Sequence, residues 1–133
     1  MTAPFILLDT DVLSYFFRRD TRAEAYRSLI EGSVVAISFM TVAEIYQWAY
    51  LKGWGEPRVA AMELALRRYV TVPFSQGLCR RWAAVRAERF HKGRPISPQD
   101  AWIAATALEN ECPLLSNNHA DFEGIDGLKM LSA

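Results

Sequence analysis

Phe5-Ile6-Leu7-Leu8-Asp9-Thr10-Asp11-Val12-Leu13 decides how the rest of the chain is to be read. Four apolar residues in succession, stopped by an acid, predict a short strand covered on both faces. Strands buried on both faces belong to parallel sheets, and parallel neighbours need crossover connections, usually helices. The sequence supplies them by alternating strand-like and helix-like segments. Helices are expected from Asp11 to Arg18 and from Arg22 to Glu31, the second ended by Gly32. Val34 to Ser38, rich in β-branched residues, is the second strand. Thr41 is expected to cap a helix to Gly53, and Pro57 to open another ending near Tyr69. Val70-Thr71-Val72 is a short strand. Ser75 caps a long helix to Lys92, with Leu78, Trp82 and Val85 facing inward. Ser97-Pro98-Gln99-Asp100 starts the last long helix, which runs towards Cys112-Pro113. Leu114-Leu115 is a buried strand, Asn117-Asn118 a polar turn, and Lys129-Met130-Leu131 an edge strand. The expectation is a three-layer α/β/α domain over residues 1–133, with a central, mostly parallel sheet of four to five short strands.

Composition supports this. Of 133 residues, 51% are hydrophobic and 23% charged, which suits a packed domain rather than a disordered one. Cys79 and Cys112 match no zinc or disulfide pattern and are expected to be buried free thiols in a reducing, cytoplasmic setting. The early apolar run is too short for a signal peptide or a membrane span. Net charge is zero but unevenly spread. Residues 58–94 carry nine basic and two acidic groups, whereas residues 100–133 carry one basic and six acidic. That asymmetry points to an anionic partner and to a cation among the acids, against the plainer alternative of solvated helix faces.

In a parallel α/β sheet, ligands bind outside the carboxyl ends of the strands. Asp9 follows the first strand directly. Glu44 is expected in the first turn after the second strand, and Asp100 in the first turn of the helix before the Leu114 strand. Asn117, Asn118 and Asp121 complete the rim. Two carboxylates about 4 Å apart repel by roughly 4 kcal/mol at an effective dielectric near 20. Such a cluster protonates or binds a cation, and oxygen donors suit magnesium or manganese. Thr41-Val42-Ala43-Glu44 and Ser97-Pro98-Gln99-Asp100 also fit a helix capping box, so both acids have a structural alternative. Asp9 falls outside any such box.

The motifs taken together resemble the PIN domain, and in particular VapC-type toxins of bacterial type II toxin–antitoxin pairs. The resemblance rests on Leu7 to Leu13, on Ser38 to Glu44, on Ile96 to Ala107 and on Leu115 to Phe122, and spans essentially the whole chain. It implies a magnesium- or manganese-dependent endoribonuclease that leaves 5′-phosphate and 3′-hydroxyl ends. Asp9, Glu44 and Asp100 would be its catalytic, metal-binding acids, and Thr10 and Ser116 would support the site through hydroxyl hydrogen bonds. Where the family often has Asp, this chain has Asn118, which implies a weaker second metal, with Asp121 as a compensating acid. The resemblance also implies a homodimer and inhibition by a cognate VapB-type antitoxin. Transfer, ribosomal and messenger RNA all fit as targets.

Arg80, Arg81, Arg86 and Arg89 are expected to line an RNA groove on the Ser75–Lys92 helix. The four tryptophans suit core or interface packing more than base stacking. Two other functions compete. Asp9-Thr10-Asp11-Val12 also fits the opening of haloacid-dehalogenase-type phosphohydrolases, with Asp9 as nucleophile, but none of Lys52, Lys92 and Lys129 follows a convincing strand. Asn118 leaves room for a catalytically weak PIN-like or receiver-like binding module.

Overall fold

The computed structural model describes residues 5–131. Within these residues five strands, β1 (Phe5–Leu8), β2 (Val34–Ser38), β3 (Val70–Val72), β4 (Leu114–Leu115) and β5 (Met130–Leu131), form one sheet in the order β3-β2-β1-β4-β5. Every pairing is parallel. Seven helices among the described residues connect them: α1 (Thr10–Phe17), α2 (Ala23–Ile30), α3 (Phe39–Lys52), α4 (Glu56–Leu66), α5 (Gln76–His91), α6 (Pro98–Glu109) and α7 (His119–Phe122).

Strand alternation sorts the helices into two layers. Ile6, Leu8, Ile37 and Leu115 pack against α1 to α4, burying Val12, Leu13, Tyr26, Ile45 and Met62. Leu7, Ala36 and Leu114 point the other way, against Val85, Ile103, Ala104 and Phe122. The sheet is thus covered on both faces, as the unbroken apolar run of β1 requires.

Three local expectations are corrected. Thr41 is not a cap: β2 runs straight into α3, and Ser38 Oγ accepts a hydrogen bond from the Met40 amide at 3.0 Å. Glu44 therefore sits in the second turn of α3, not the first. Asp9, read as outside any capping role, is the N-cap of α1, and its Oδ1 accepts from the Thr10 amide at 2.7 Å. Cys79 is exposed, and only Cys112 is buried. The short helix α7 lies in the stretch read as part of a polar rim. The long helices close as expected, α3 on Gly53 with φ 65° and α5 before Gly93 with φ 72°, where the left-handed backbone favours glycine.

β1 is central, and the chain leaves it to one side for β2 and reaches β4 on the other. That reversal puts a crevice at the carboxyl ends of β1 and β4. Leu8 is in register with Leu115 and with Ile37, so Asp9, Ser116 and Ser38 come level just beyond the strands.

Candidate metal centre

Asp9 is 6% exposed and anchored on both oxygens. Oδ1 accepts from the Thr10 amide, and Oδ2 accepts from Ser116 Oγ at 2.6 Å. Ser116 Oγ in turn accepts from the Asn118 amide at 2.9 Å, so the β4–α7 turn is tied to the same point. Thr10 Oγ1 donates to Glu44 Oε1 at 2.9 Å and lies 2.9 Å from the hydroxyl of the buried Thr41. Thr41 is therefore a buried link between α3 and α1. Asp100 occupies the first turn of α6, where Ser97 Oγ accepts from its amide at 3.1 Å. Asn118 Nδ2 donates to Asp121 Oδ2.

The acids feel one another. Burial, with Asp11 next in weight, pushes the Asp9 carboxyl up to about 7, while the Ser116 and Thr10 bonds and the Asp100 charge act as smaller influences. Burial likewise raises Glu44, opposed by the Thr10 hydroxyl and helped by Asp100 and Asp11. Asp100 is raised by burial and by Asp121 and Asp11, against the Ser97 bond. Asp11 is raised by burial, although the amides of Val12 and Asn117 hold its oxygens at 2.6 and 3.2 Å. Carboxylates from four separate elements thus share one field at the strand ends. Their side chains are turned to hydroxyls and amides, and among the described residues no three acids are grouped to hold an ion. The donor set fits a hard divalent cation by chemistry, since it is all oxygen and is destabilised by its own charge.

Asp11 is the member that sequence reading left out. Its signal was the Asp-Thr-Asp spacing, which puts a second acid on the first turn of α1. Arg89 is the opposite case. It is 6% exposed, with Nε donating to Arg94 O at 2.7 Å and Nη1 to the carbonyls of Asp121 and Glu123 at 3.1 and 3.3 Å. It belongs to the inward stripe Leu78, Trp82, Val85, Arg89 and lines no groove. Arg86 donates to Ile96 O and lies over Trp82, and Arg81 pairs with Glu109 at 3.7 Å. Only Arg80 of the four has no such engagement among the described residues.

A family model described as the PIN domain matches residues 6–128. The chain belongs to the PIN domain family. Ribonuclease VapC1 of Haemophilus influenzae is 27% identical over 125 residues, covering 92% of this chain and 93% of that one. The tRNA(fMet)-specific endonuclease VapC of Shigella flexneri is 24% identical over 123 residues, covering 92% and 93%. The solved structure of VapBC-1 from nontypeable Haemophilus influenzae superposes with a TM-score of 0.81 at 26% identity, covering 96% of this chain and 97% of that chain. Family membership sets aside the haloacid-dehalogenase alternative. PIN-domain nucleases generally depend on a divalent metal. Among the described residues, no helix is long and apolar enough to cross a membrane.

Proposed function

We propose that this PIN domain, residues 1–133, is a magnesium-dependent endoribonuclease toxin that hydrolyses RNA phosphodiester bonds in the cytoplasm and is held in check by a VapB-type antitoxin. The observation that carries the reading is the shared field of Asp9, Glu44 and Asp100 at the sheet edge, raised together by burial and mutual repulsion. Relatives named as ribonucleases, and the VapBC structure, support the substrate class and the partner. The exposed Tyr50 and Leu64 offer apolar surface that suits a homodimer contact.

Asp9, Glu44 and Asp100 would hold magnesium, or manganese, with Asp121 and the neutral oxygen of Asn118 at the rim. When bound, the cation supplies Lewis acidity and a more acidic water. The chain's own contribution is positioning. Ser116 and the Thr10 amide fix both oxygens of Asp9, and the Thr10 hydroxyl orients Glu44. Asp100, at an α6 N-terminus with Ser97 as cap, keeps its charge near the positive end of the helix.

The test is cleavage of transfer RNA and total RNA with magnesium, with chelator, and by Asp100→Asn. Chelation is expected to abolish cleavage and magnesium to restore it. Asp100→Asn is expected to lose at least about 100-fold in rate, by analogy with lost electrostatic contributions elsewhere. Its stability should change by about 1 kcal/mol or less, since Asn also serves early helix positions. Full activity in chelator or in Asp100→Asn overturns the reading, and a folded protein without cleavage under any condition points to the binding-module alternative.

A further inference from the structure

Thr41 precedes Glu44 by one turn of α3, so the two side chains share a face of the helix, and both meet Thr10 at the start of α1. Thr41 is fully buried. Its hydroxyl lies 2.9 Å from Thr10 Oγ1 and meets no other hydrogen-bond partner among the described residues. A threonine inside a helix commonly turns its hydroxyl back to the carbonyl four residues earlier. Thr106 does so on α6, donating to Trp102 O at 2.7 Å. Thr41 forgoes that bond and reaches across to another helix.

Counting protons fixes the direction of the contact. Thr10 has one hydroxyl proton and donates it to Glu44 Oε1 at 2.9 Å. An ionised carboxylate only accepts. The proton between the two threonines therefore belongs to Thr41, and Thr10 Oγ1 accepts it. Asp9 is held in the same manner. The Asn118 amide donates to Ser116 Oγ at 2.9 Å, and Ser116 donates to Asp9 Oδ2 at 2.6 Å. Each acid is thus gripped by a hydroxyl that is itself held by a further donor. Hydrogen bonds linked in this way polarise and strengthen one another. For Asp9 the outer donor is a backbone amide. For Glu44 it is a side chain.

Resting on the nuclease reading above, we propose that Thr41 is a positioning residue for the metal centre: by donating to Thr10 Oγ1 it commits the Thr10 proton to Glu44 Oε1 and fixes the carboxylate that would hold the cation. Thr41 is sealed from solvent, so it touches no RNA. Its effect falls on metal affinity and leaves RNA affinity alone.

The experiment titrates manganese by electron paramagnetic resonance, at one pH, into wild type, Thr41→Val, Thr41→Ser, Thr10→Val and Thr10→Val/Thr41→Val. Valine keeps the branched shape and loses the hydroxyl, whereas serine keeps the hydroxyl. Cleavage is followed over metal and RNA concentration series, and folding by circular dichroism. Thr41→Val is expected to raise the manganese Kd, and the metal concentration for half-maximal cleavage, by about 10-fold, as for a lost outer partner of a metal ligand. RNA KM at saturating metal is expected to stay unchanged. Thr41→Ser should match wild type in all three quantities. In the Thr10→Val background, Thr41→Val should add nothing, because the path to Glu44 is already cut.

Wild-type manganese affinity in Thr41→Val overturns the proposal. An equal loss in Thr41→Ser also overturns it, since packing would then account for the effect. A further full loss in the double variant overturns the route through Thr10. If Thr41→Val does not fold, Thr41→Ala takes its place with the same expectations. Wild type that binds no manganese overturns the metal reading and this proposal together. Wild type that binds manganese without cleaving RNA overturns the nuclease reading alone, and the affinity comparison still decides Thr41.

Discussion

Ser116 Oγ and Asp9 Oδ2 meet at 2.6 Å across 107 residues of sequence, and both residues are buried. The hydroxyl opposes the burial that lifts the Asp9 carboxyl. Ser116→Ala is therefore expected to raise that carboxyl further and move the acidic limb of the cleavage pH profile upward by about one unit, the equivalent of one lost hydrogen bond to a charged group. Ser116→Thr keeps the hydroxyl and should keep the profile. A pH–rate series on the three proteins checks this, and an unmoved limb in Ser116→Ala would disconnect the serine from the acid.

Metal-free stability should fall as pH rises. A carboxyl raised from 3.8 to about 7 holds a proton in the folded state that the unfolded state has released. The folded form is thus progressively penalised between about pH 4 and pH 7, by on the order of 4 kcal/mol at most for Asp9 alone. Glu44, Asp100 and Asp11 add in the same sense. Asp20 and Glu88, lowered by Arg22 and Lys92 at the surface, act oppositely but only in the acid range. Thermal melts in chelator should decline from pH 5 to pH 7.5. Magnesium should raise Tm at pH 7.5 and have little effect at pH 5.

Arg89 is a buried cation whose partners are three carbonyls rather than an acid. It closes the end of α7 and pins the backbone of Asp121. Arg89→Leu should cost about 2–4 kcal/mol, because the carbonyls lose charged donors inside the protein. Arg89→Lys should recover less than half, since an ammonium cannot reproduce the fork. Urea unfolding measures both.

Arg19 holds a left-handed backbone, φ 54°, where α1 turns over through bonds from its amide to Phe16 O and from Asp20 N to Tyr15 O. Glycine is the residue that adopts this conformation without a Cβ penalty. Arg19→Gly should leave the fold unchanged and stabilise it by up to about 1 kcal/mol. A decrease in Tm would mean that the arginine side chain contributes more than the backbone strain removes.

The parts of the fold legible in the sequence were those written in contiguous residues. The Phe5–Leu8 run stopped by Asp9, the Ser97-Pro98 cap and the terminal Gly53 and Gly93 each need only local chemistry. What escaped depended on joints between elements. Ser38 looked like the end of a strand because it is one, yet it is also the cap of α3, and with no loop between them Thr41 attracted the role. Arg89 was read by residue type as surface, although its spacing from Leu78 and Val85 already set it on the buried stripe. Asp11 was passed over because a helix-start acid is ordinary until β4 brings Asn117 against it. The Thr41–Thr10–Glu44 chain of bonds joins α3 to α1, and no window of sequence contains it.

The pairing of β1 with β4 has a consequence for synthesis. Translation proceeds from the N-terminus, so Asp9 is made early and waits for Ser116 and the Leu114-Leu115 strand that completes its side of the crevice. A ribosome carrying two-thirds of this chain displays the acids of α1 and α3 without the wall that seats them. The bonded pair of Asp9 and Ser116 can therefore form only after residue 116 has been made, so the crevice takes its final shape late in synthesis.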